Sequence, residues 1–111
     1  MMLPEQGCLL RIFVGEGDRF EGKSLYEWIV LQARQEGLAG ATVLRGMMGF
    51  GPGSRVYTSK ILRLSKDLPV VIEIVDTYEK LEGFVAVIDK AIVKGLVTLE
   101  RCRVRLYRGG E

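Results

Sequence analysis

The 111-residue chain predicts an α+β fold with the element order β-α-β-β-α-β. Three observations carry that prediction. Two stretches place apolar residues at i, i+3, i+4 and i+7, and each opens on a helix-start signature. Four runs around them read as strands, Leu68–Val75 the clearest and dense in β-branched residues. Strand and helix runs alternate as two split βαβ units, with no repeat, linker or low-complexity segment between them. Such a pair folds as a ferredoxin-like sandwich, a four-stranded antiparallel sheet with both helices on one face. Right-handed crossovers leave few competing topologies. The expectation is one domain over residues 1–111.

The first strand is Cys8–Val14, ending at the turn signal Gly15-Glu16-Gly17-Asp18. Ser24-Leu25-Tyr26-Glu27 then fits a capping box, with the serine oxygen meeting the N3 amide and Glu27 reaching back. Leu25, Trp28, Ile29, Gln32 and Ala33 form the inward stripe, and Gly37 suits the left-handed position after the helix. Ala41–Met48 reads as a second strand, weakened at Gly46. A long loop, 49–67, precedes the clearest strand, Leu68–Val75. Asp76-Thr77-Tyr78-Glu79 is a second capping box. Leu81, Phe84, Val85, Ile88, Ala91 and Ile92 keep helical spacing, with Gly95 placed to close the helix. Leu96–Tyr107 is the last strand, followed by a short polar tail.

Side chains alternate along strands, so Leu9, Arg11 and Phe13 share a face, as do Val71, Glu73 and Val75. If Cys8, Leu10, Ile12 and Val14 meet the helices, those sets lie on the opposite face. A mostly apolar face with scattered charges predicts an oligomer interface.

Composition narrows the function. With 48% hydrophobic and 27% charged residues the chain is globular rather than disordered. A net charge of +2 is too balanced for nucleic-acid binding by bulk charge, and Phe13 is the lone aromatic on the core strands for base stacking. No histidine is present, which removes His-based triads, His-liganded metals and an imidazole base. Cys8 and Cys102 lack C-x-x-C spacing and read as free thiols in outer strands. No apolar run reaches the roughly 18 residues of a membrane span, and Met1-Met2-Leu3-Pro4-Glu5-Gln6 lacks a signal-peptide layout. The expectation is a cytoplasmic protein that is not an enzyme, with no catalytic residues and no metal ligands.

Two segments carry candidate chemistry. Glycines cluster in Gly49-Phe50-Gly51-Pro52-Gly53-Ser54-Arg55, and glycine admits positive φ and close approach of backbone amides to an anion. Arg55 and Lys60 add charge-assisted bonds. The spacing matches neither a Walker A loop nor a Rossmann fingerprint. Anion nest and plain surface loop, in which Tyr57 or Ser54 is open to modification, fit these residues equally well. Arg101, Arg103 and Arg105 alternate along the last strand. They fit a polyphosphate clamp or pairing with Glu100, Glu73 or Glu111.

Gly40-Ala41-Thr42-Val43-Leu44-Arg45-Gly46-Met47-Met48-Gly49-Phe50-Gly51 resembles the second strand and loop entry of PII signalling proteins. Leu68–Val75 resembles the strand after their T-loop, and Arg103-Val104-Arg105 their C-terminal Arg-x-Arg. A PII-like group, the domain of unknown function family 190, is a closer likeness. It shares Gly22-Lys23-Ser24-Leu25-Tyr26-Glu27, Arg45–Gly51, Ser65-Lys66-Asp67-Leu68-Pro69 and Ile72–Asp76. Pro52-Gly53-Ser54 stands where PII proteins carry Gly-Arg-Gln, and Lys94-Gly95 is all that matches their Gly-Asp-Gly-Lys loop.

That resemblance implies a PII-like regulatory protein assembled as a homotrimer, with its sheets facing inward. A small anionic ligand, an adenine nucleotide such as ATP, ADP or AMP, would sit in clefts between subunits. Gly49, Gly51, Arg55, Arg103 and Arg105 would line the site. Ligand binding would order loop 49–67, which a partner protein such as a membrane transporter would read. The alternative is a structural or protein-interaction trimer without a ligand.

Overall fold

A computed structural model describes residues 3–110. Met1, Met2 and Glu111, the last an expected partner of the arginines, lie outside the described residues. Strand β1 spans Gln6–Gly15. A short hairpin follows, β2 (Arg19–Phe20) and β3 (Lys23–Ser24). Its turn uses Glu21 and Gly22 at φ 50° and 80°, the paired left-handed residues that match strand twist. Helix α1 is Leu25–Gln35 and strand β4 is Thr42–Arg45. The loop region contributes β5 (Met48–Gly49), β6 (Tyr57–Thr58) and a 3₁₀ turn at Leu62–Leu64. Strand β7 (Pro69–Asp76), helix α2 (Tyr78–Ile88), a 3₁₀ turn (Asp89–Ala91) and strand β8 (Leu96–Arg103) complete the order.

The main sheet runs β4-β7-β1-β8, antiparallel throughout. That is the expected four-stranded sheet of a ferredoxin-like α+β sandwich. Cys8, Leu10, Ile12 and Val14 of β1 are buried together with Val70, Ile72 and Ile74 of β7. Leu25, Trp28, Ile29 and Ala33 of α1, and Leu81, Phe84 and Ile88 of α2, pack in the same core. Phe20 from the β2–β3 hairpin meets Trp28 edge-on, with ring centroids 4.6 Å apart. The alternate residues, Leu9, Arg11, Phe13, Val71, Glu73 and Val75, are half-buried on the open face. Cys8 lies on a central strand, not an outer one as expected, because β1 pairs on both edges.

The helix starts differ from expectation in informative ways. Ser24 caps α1 by position, but its hydroxyl makes no capping bond. Its backbone is committed to the ladder with Arg19, and the Leu25 N–H donates to the Asp18 carbonyl at 2.7 Å. At α2 the cap is Thr77, one residue later than expected, with Oγ1 accepting the Lys80 N–H at 3.2 Å. That shift releases Asp76, which is 1% exposed. Its carboxylate accepts N–H groups from Thr77 at 2.7 Å and Ala39 at 2.8 Å, joining β7 to the segment after α1.

Gly37 has φ 75°, the left-handed position expected after α1. Gly95 does not close α2, which gives way to the 3₁₀ turn after Ile88. It has φ 148°, and a Cβ there would fall 2.5 Å from the Phe13 carbonyl oxygen. This glycine lets the chain enter β8 against β1.

Candidate functional site

Two concavities open at opposite ends of β8. One, of about 460 Å³, lies at the base of loop 49–67 and reaches Leu96 at the start of β8. The other, of about 630 Å³, lies beside the C-terminal segment and reaches Cys102 and Arg103 at its end. Seven residue-to-residue steps, Leu96 to Arg103, separate those ends, about 23 Å at ~3.3 Å per residue.

The first cavity gathers Gly49, Gly51 and Arg55. The β5–β6 ladder pairs Met48 with Thr58 and Gly49 with Tyr57, so the loop has a closed stem. The Ser59 N–H extends it, donating to the Met47 carbonyl at 2.9 Å. The stem rests on Pro69. The Gly46 N–H donates to the Pro69 carbonyl at 2.7 Å, and a Cβ on Gly49 would sit 3.1 Å from its Cγ. Above the stem, the Arg55 guanidinium lies 5.5 Å from the Tyr57 ring centroid, a cation–π approach that orients it.

The glycines do not form a positive-φ nest, one of the two arrangements their cluster allowed. Gly49, Gly51 and Gly53 lie outside the left-handed region, and Ser54 occupies it at φ 60°. The Ser54 N–H donates to the Gly51 carbonyl at 2.8 Å, spending that donor inside the turn. Cationic character here comes from Arg55 and Lys94, which also lines the cavity.

Three lining residues were not anticipated as a group. Asp18 accepts the Gly15 N–H at 2.9 Å and stands 3.8 Å from Lys94 Nζ. Asp67 accepts the Gly17 N–H at 2.6 Å. Both carboxylates thus pin the turn after β1, and the cavity wall holds two acids against two bases. The turn signal 15–18 and the Ser65–Pro69 motif contain these acids. Only the fold reveals that they meet.

The second cavity holds Arg103 and Arg105. Arg103 lies opposite Gln6, and its Nε is 2.8 Å from Glu5 Oε1. Arg105 falls beyond β8, which ends at Arg103 rather than running to Tyr107, so the three arginines do not form one strand row. After Arg103 the Val104 N–H donates to the Glu5 carbonyl at 2.8 Å, and Tyr107 Oη donates to the Ala39 carbonyl at 2.7 Å. The expected acidic partners are engaged elsewhere. Glu73 Oε2 lies 2.9 Å from Arg11 Nε, and Glu100 pairs with Arg11 Nη1. Register explains this: Arg11 faces Glu73 on one side and Thr98 on the other, so all three charges share the open face. The Glu73 hydrogen bond chiefly holds the Arg11 guanidinium in its charged form. Burial pushes the Cys102 thiol up, with Cys8 and Glu100 adding to the shift.

Gly49, Gly51 and Arg55 therefore meet in one cavity, while Arg103 and Arg105 meet in another. A single chain does not bring the two sets together. Among the described residues no cluster of three His, Cys, Asp or Glu side chains is placed to hold a metal. No described helix is long and apolar enough to cross a membrane.

This architecture is that of a PII-like protein. It matches CPII from Thiomonas intermedia K12, solved with ADP and bicarbonate, at a TM-score of 0.67 and 15% identity. That match covers 89% of this chain and 88% of the other. The Bacillus subtilis GlnK–ATP complex matches at 0.54 and 12% identity, covering 92% and 85%. At such identities the likeness shows the fold alone.

Sequence narrows the assignment. The profile of DUF190, described as uncharacterized ACR, matches residues 7–104. The UPF0166 protein of Aquifex aeolicus is 43% identical over 96 residues, covering 86% of this chain and 90% of that protein. Its counterpart in Methanocaldococcus jannaschii is 38% identical over 102 residues, covering 91% and 92%. The chain belongs to the DUF190 (UPF0166) family.

Proposed function

We propose that this protein is a PII-like regulatory module that binds an adenine nucleotide, ATP, ADP or AMP, between the subunits of a homotrimer. The observation that carries the reading is the split of the basic residues. Arg55 lines the cavity at one end of β8 and Arg103 and Arg105 the cavity at the other, with a strand about 23 Å long between those ends. One small ligand cannot span that distance, so a site using both sets draws them from two copies. The half-buried, mostly apolar open face of the sheet supports self-association. The ADP- and ATP-bound PII-like structures support the ligand class.

Ligand contacts at Gly49, Gly51 and Arg55 act at the loop stem, upstream of the exposed span that a partner protein would read. Binding biases the loop between free and bound arrangements by making contacts in only one of them. A membrane transporter is one partner of the kind proposed. The protein acts by binding, in the cytoplasm, rather than by catalysis.

Calorimetry with ATP, ADP and AMP tests the site, with Arg55→Ala, Arg103→Ala and Arg105→Ala as variants. Binding that weakens tenfold or more in each variant supports the shared site. No heat with any nucleotide, or unchanged affinity in all three variants, sinks it. A ligand-free trimer is the second reading, favoured by the Arg103–Glu5 pair, which already occupies one cation. Its signature is trimer dissociation, not lost binding, when Arg103 is replaced.

A further inference from the structure

The segment 45–66 holds five basic residues, Arg45, Arg55, Lys60, Arg63 and Lys66, and no acidic one. The whole chain carries only +2, so the remainder is net acidic. Charge is therefore concentrated on the loop. Arg45 is paired with Glu16 at 3.1 Å. Among the described residues, Lys60, Arg63 and Lys66 have no carboxylate within ion-pair distance, and all three are exposed.

Large apolar side chains project from the same segment. Leu62 is 84% exposed, Met47 74% and Phe50 71%, with Met48 and Ile61 also exposed. The β5–β6 ladder and the Ser59–Met47 bond hold Met47 and Met48 beside the strand that leads into the Leu62–Leu64 turn. That turn is itself fixed, since the Ser65 hydroxyl donates to the Leu62 carbonyl at 2.7 Å. A soluble surface rarely leaves so many large apolar groups in water without a use for them.

We propose that this loop docks on an anionic lipid bilayer surface, Leu62 and its apolar neighbours entering the interface while Lys60, Arg63 and Lys66 meet lipid phosphates. Charge complementarity selects this occupant: a surface with basic groups alone around protruding apolar ones matches an anionic headgroup layer over hydrocarbon. Met47, Met48, Ile61 and Leu62 line neither of the two cavities and stand out as projections, which suits insertion better than reception of a peptide. The inference does not depend on nucleotide binding.

Vesicle co-sedimentation of the full chain, without nucleotide, tests it. The lipids are phosphatidylglycerol mixed with phosphatidylcholine, and phosphatidylcholine alone. Binding is expected only to the anionic vesicles and is expected to fall as salt rises. Replacing Lys60, Arg63 and Lys66 together by Gln should weaken it about a hundredfold, at roughly fivefold per charge. Leu62→Ser should weaken it about tenfold while leaving the salt dependence in place. Lys23, Arg34 and Lys90, exposed residues outside the loop, give a Gln triple variant with the same change in net charge. That control should bind like the parent. Absence of binding to the anionic vesicles overturns the proposal. So does equal loss in the control, which would mean bulk charge, or binding of a folded Leu62→Ser variant as tight as the parent's. Circular dichroism checks that each variant is folded.

Discussion

The Asp76 carboxylate accepts the Ala39 N–H at 2.8 Å, across 37 residues of sequence, while its other oxygen takes the Thr77 N–H at 2.7 Å. One buried side chain thus satisfies the start of α2 and the exit from α1 together. Nearby, Tyr107 donates to the Ala39 carbonyl, so both backbone groups of Ala39 are held.

Replacing Asp76 should cost more than its single position suggests. Asp76→Ala leaves two N–H donors without their acceptor and is expected to lower unfolding stability by about 2–4 kcal/mol. Asp76→Asn keeps one acceptor oxygen and should lose about half as much. Urea titration of both variants measures this. Equal stability of all three proteins would show that the carboxylate is not a tie between the segments.

Gly95→Ala should be destabilising by about 2 kcal/mol or more. The new Cβ meets the Phe13 carbonyl at 2.5 Å, and φ of 148° is strained for any side chain. Gly51→Ala is the contrast, since nothing lies within 4 Å of its added Cβ and its φ is not left-handed. Thermal melts should separate the pair by several degrees.

Arg11 offers a test of assembly as distinct from folding. In a free chain its pairs with Glu73 and Glu100 are partly solvated and contribute little to folding. Buried in the proposed trimer, the two carboxylates would lose their shared cation and repel across the interface. Arg11→Met is therefore expected to remain folded by circular dichroism but to sediment as a smaller species. A variant that stays trimeric would remove this face from the interface.

Cys102 gives a pH prediction with a definite sign. Its thiol is raised in the folded chain, above all by burial. The folded state then holds its proton to higher pH than the unfolded state does. The associated stability is complete below the ordinary thiol range and declines as pH climbs through the raised value. Thiol titration with an aromatic disulfide should be slow near neutral pH and accelerate only above the ordinary thiol range. Cys102→Ser should remove the alkaline loss. Rapid reaction at neutral pH would mean the thiol is not shielded.

The sheet and both helices were legible because their signals are periodic and local. Leu10, Ile12, Ile72 and Ile74 alternate inward, while Leu81, Phe84 and Ile88 follow the helical repeat. What sequence reasoning missed depends on contacts distant along the chain. The α2 cap moved to Thr77 because Asp76 was needed by Ala39, which lies 37 residues away. Gly95 looked like a helix terminator, yet its role is set by Phe13, on a strand it meets only after folding. The loop glycines were visible as a cluster, but their φ angles were not. Alternation along the last strand suggested a row of arginines, whereas the segment after Arg103 leaves the ladder to follow Glu5.

The proposed ligand site is built from two copies, Arg55 of one and Arg103 of the next. Complementation tests it most directly. Arg55→Ala and Arg103→Ala proteins are unfolded together, refolded as a mixture and titrated with ADP in a calorimeter. Each variant alone should bind at least tenfold more weakly than the parent. In the mixture, random assembly pairs an intact Arg55 with an intact Arg103 at about a quarter of the interfaces, and tight binding should return with that stoichiometry. If the mixture binds no better than the two variants separately, while each still forms trimers, the site is not shared between copies.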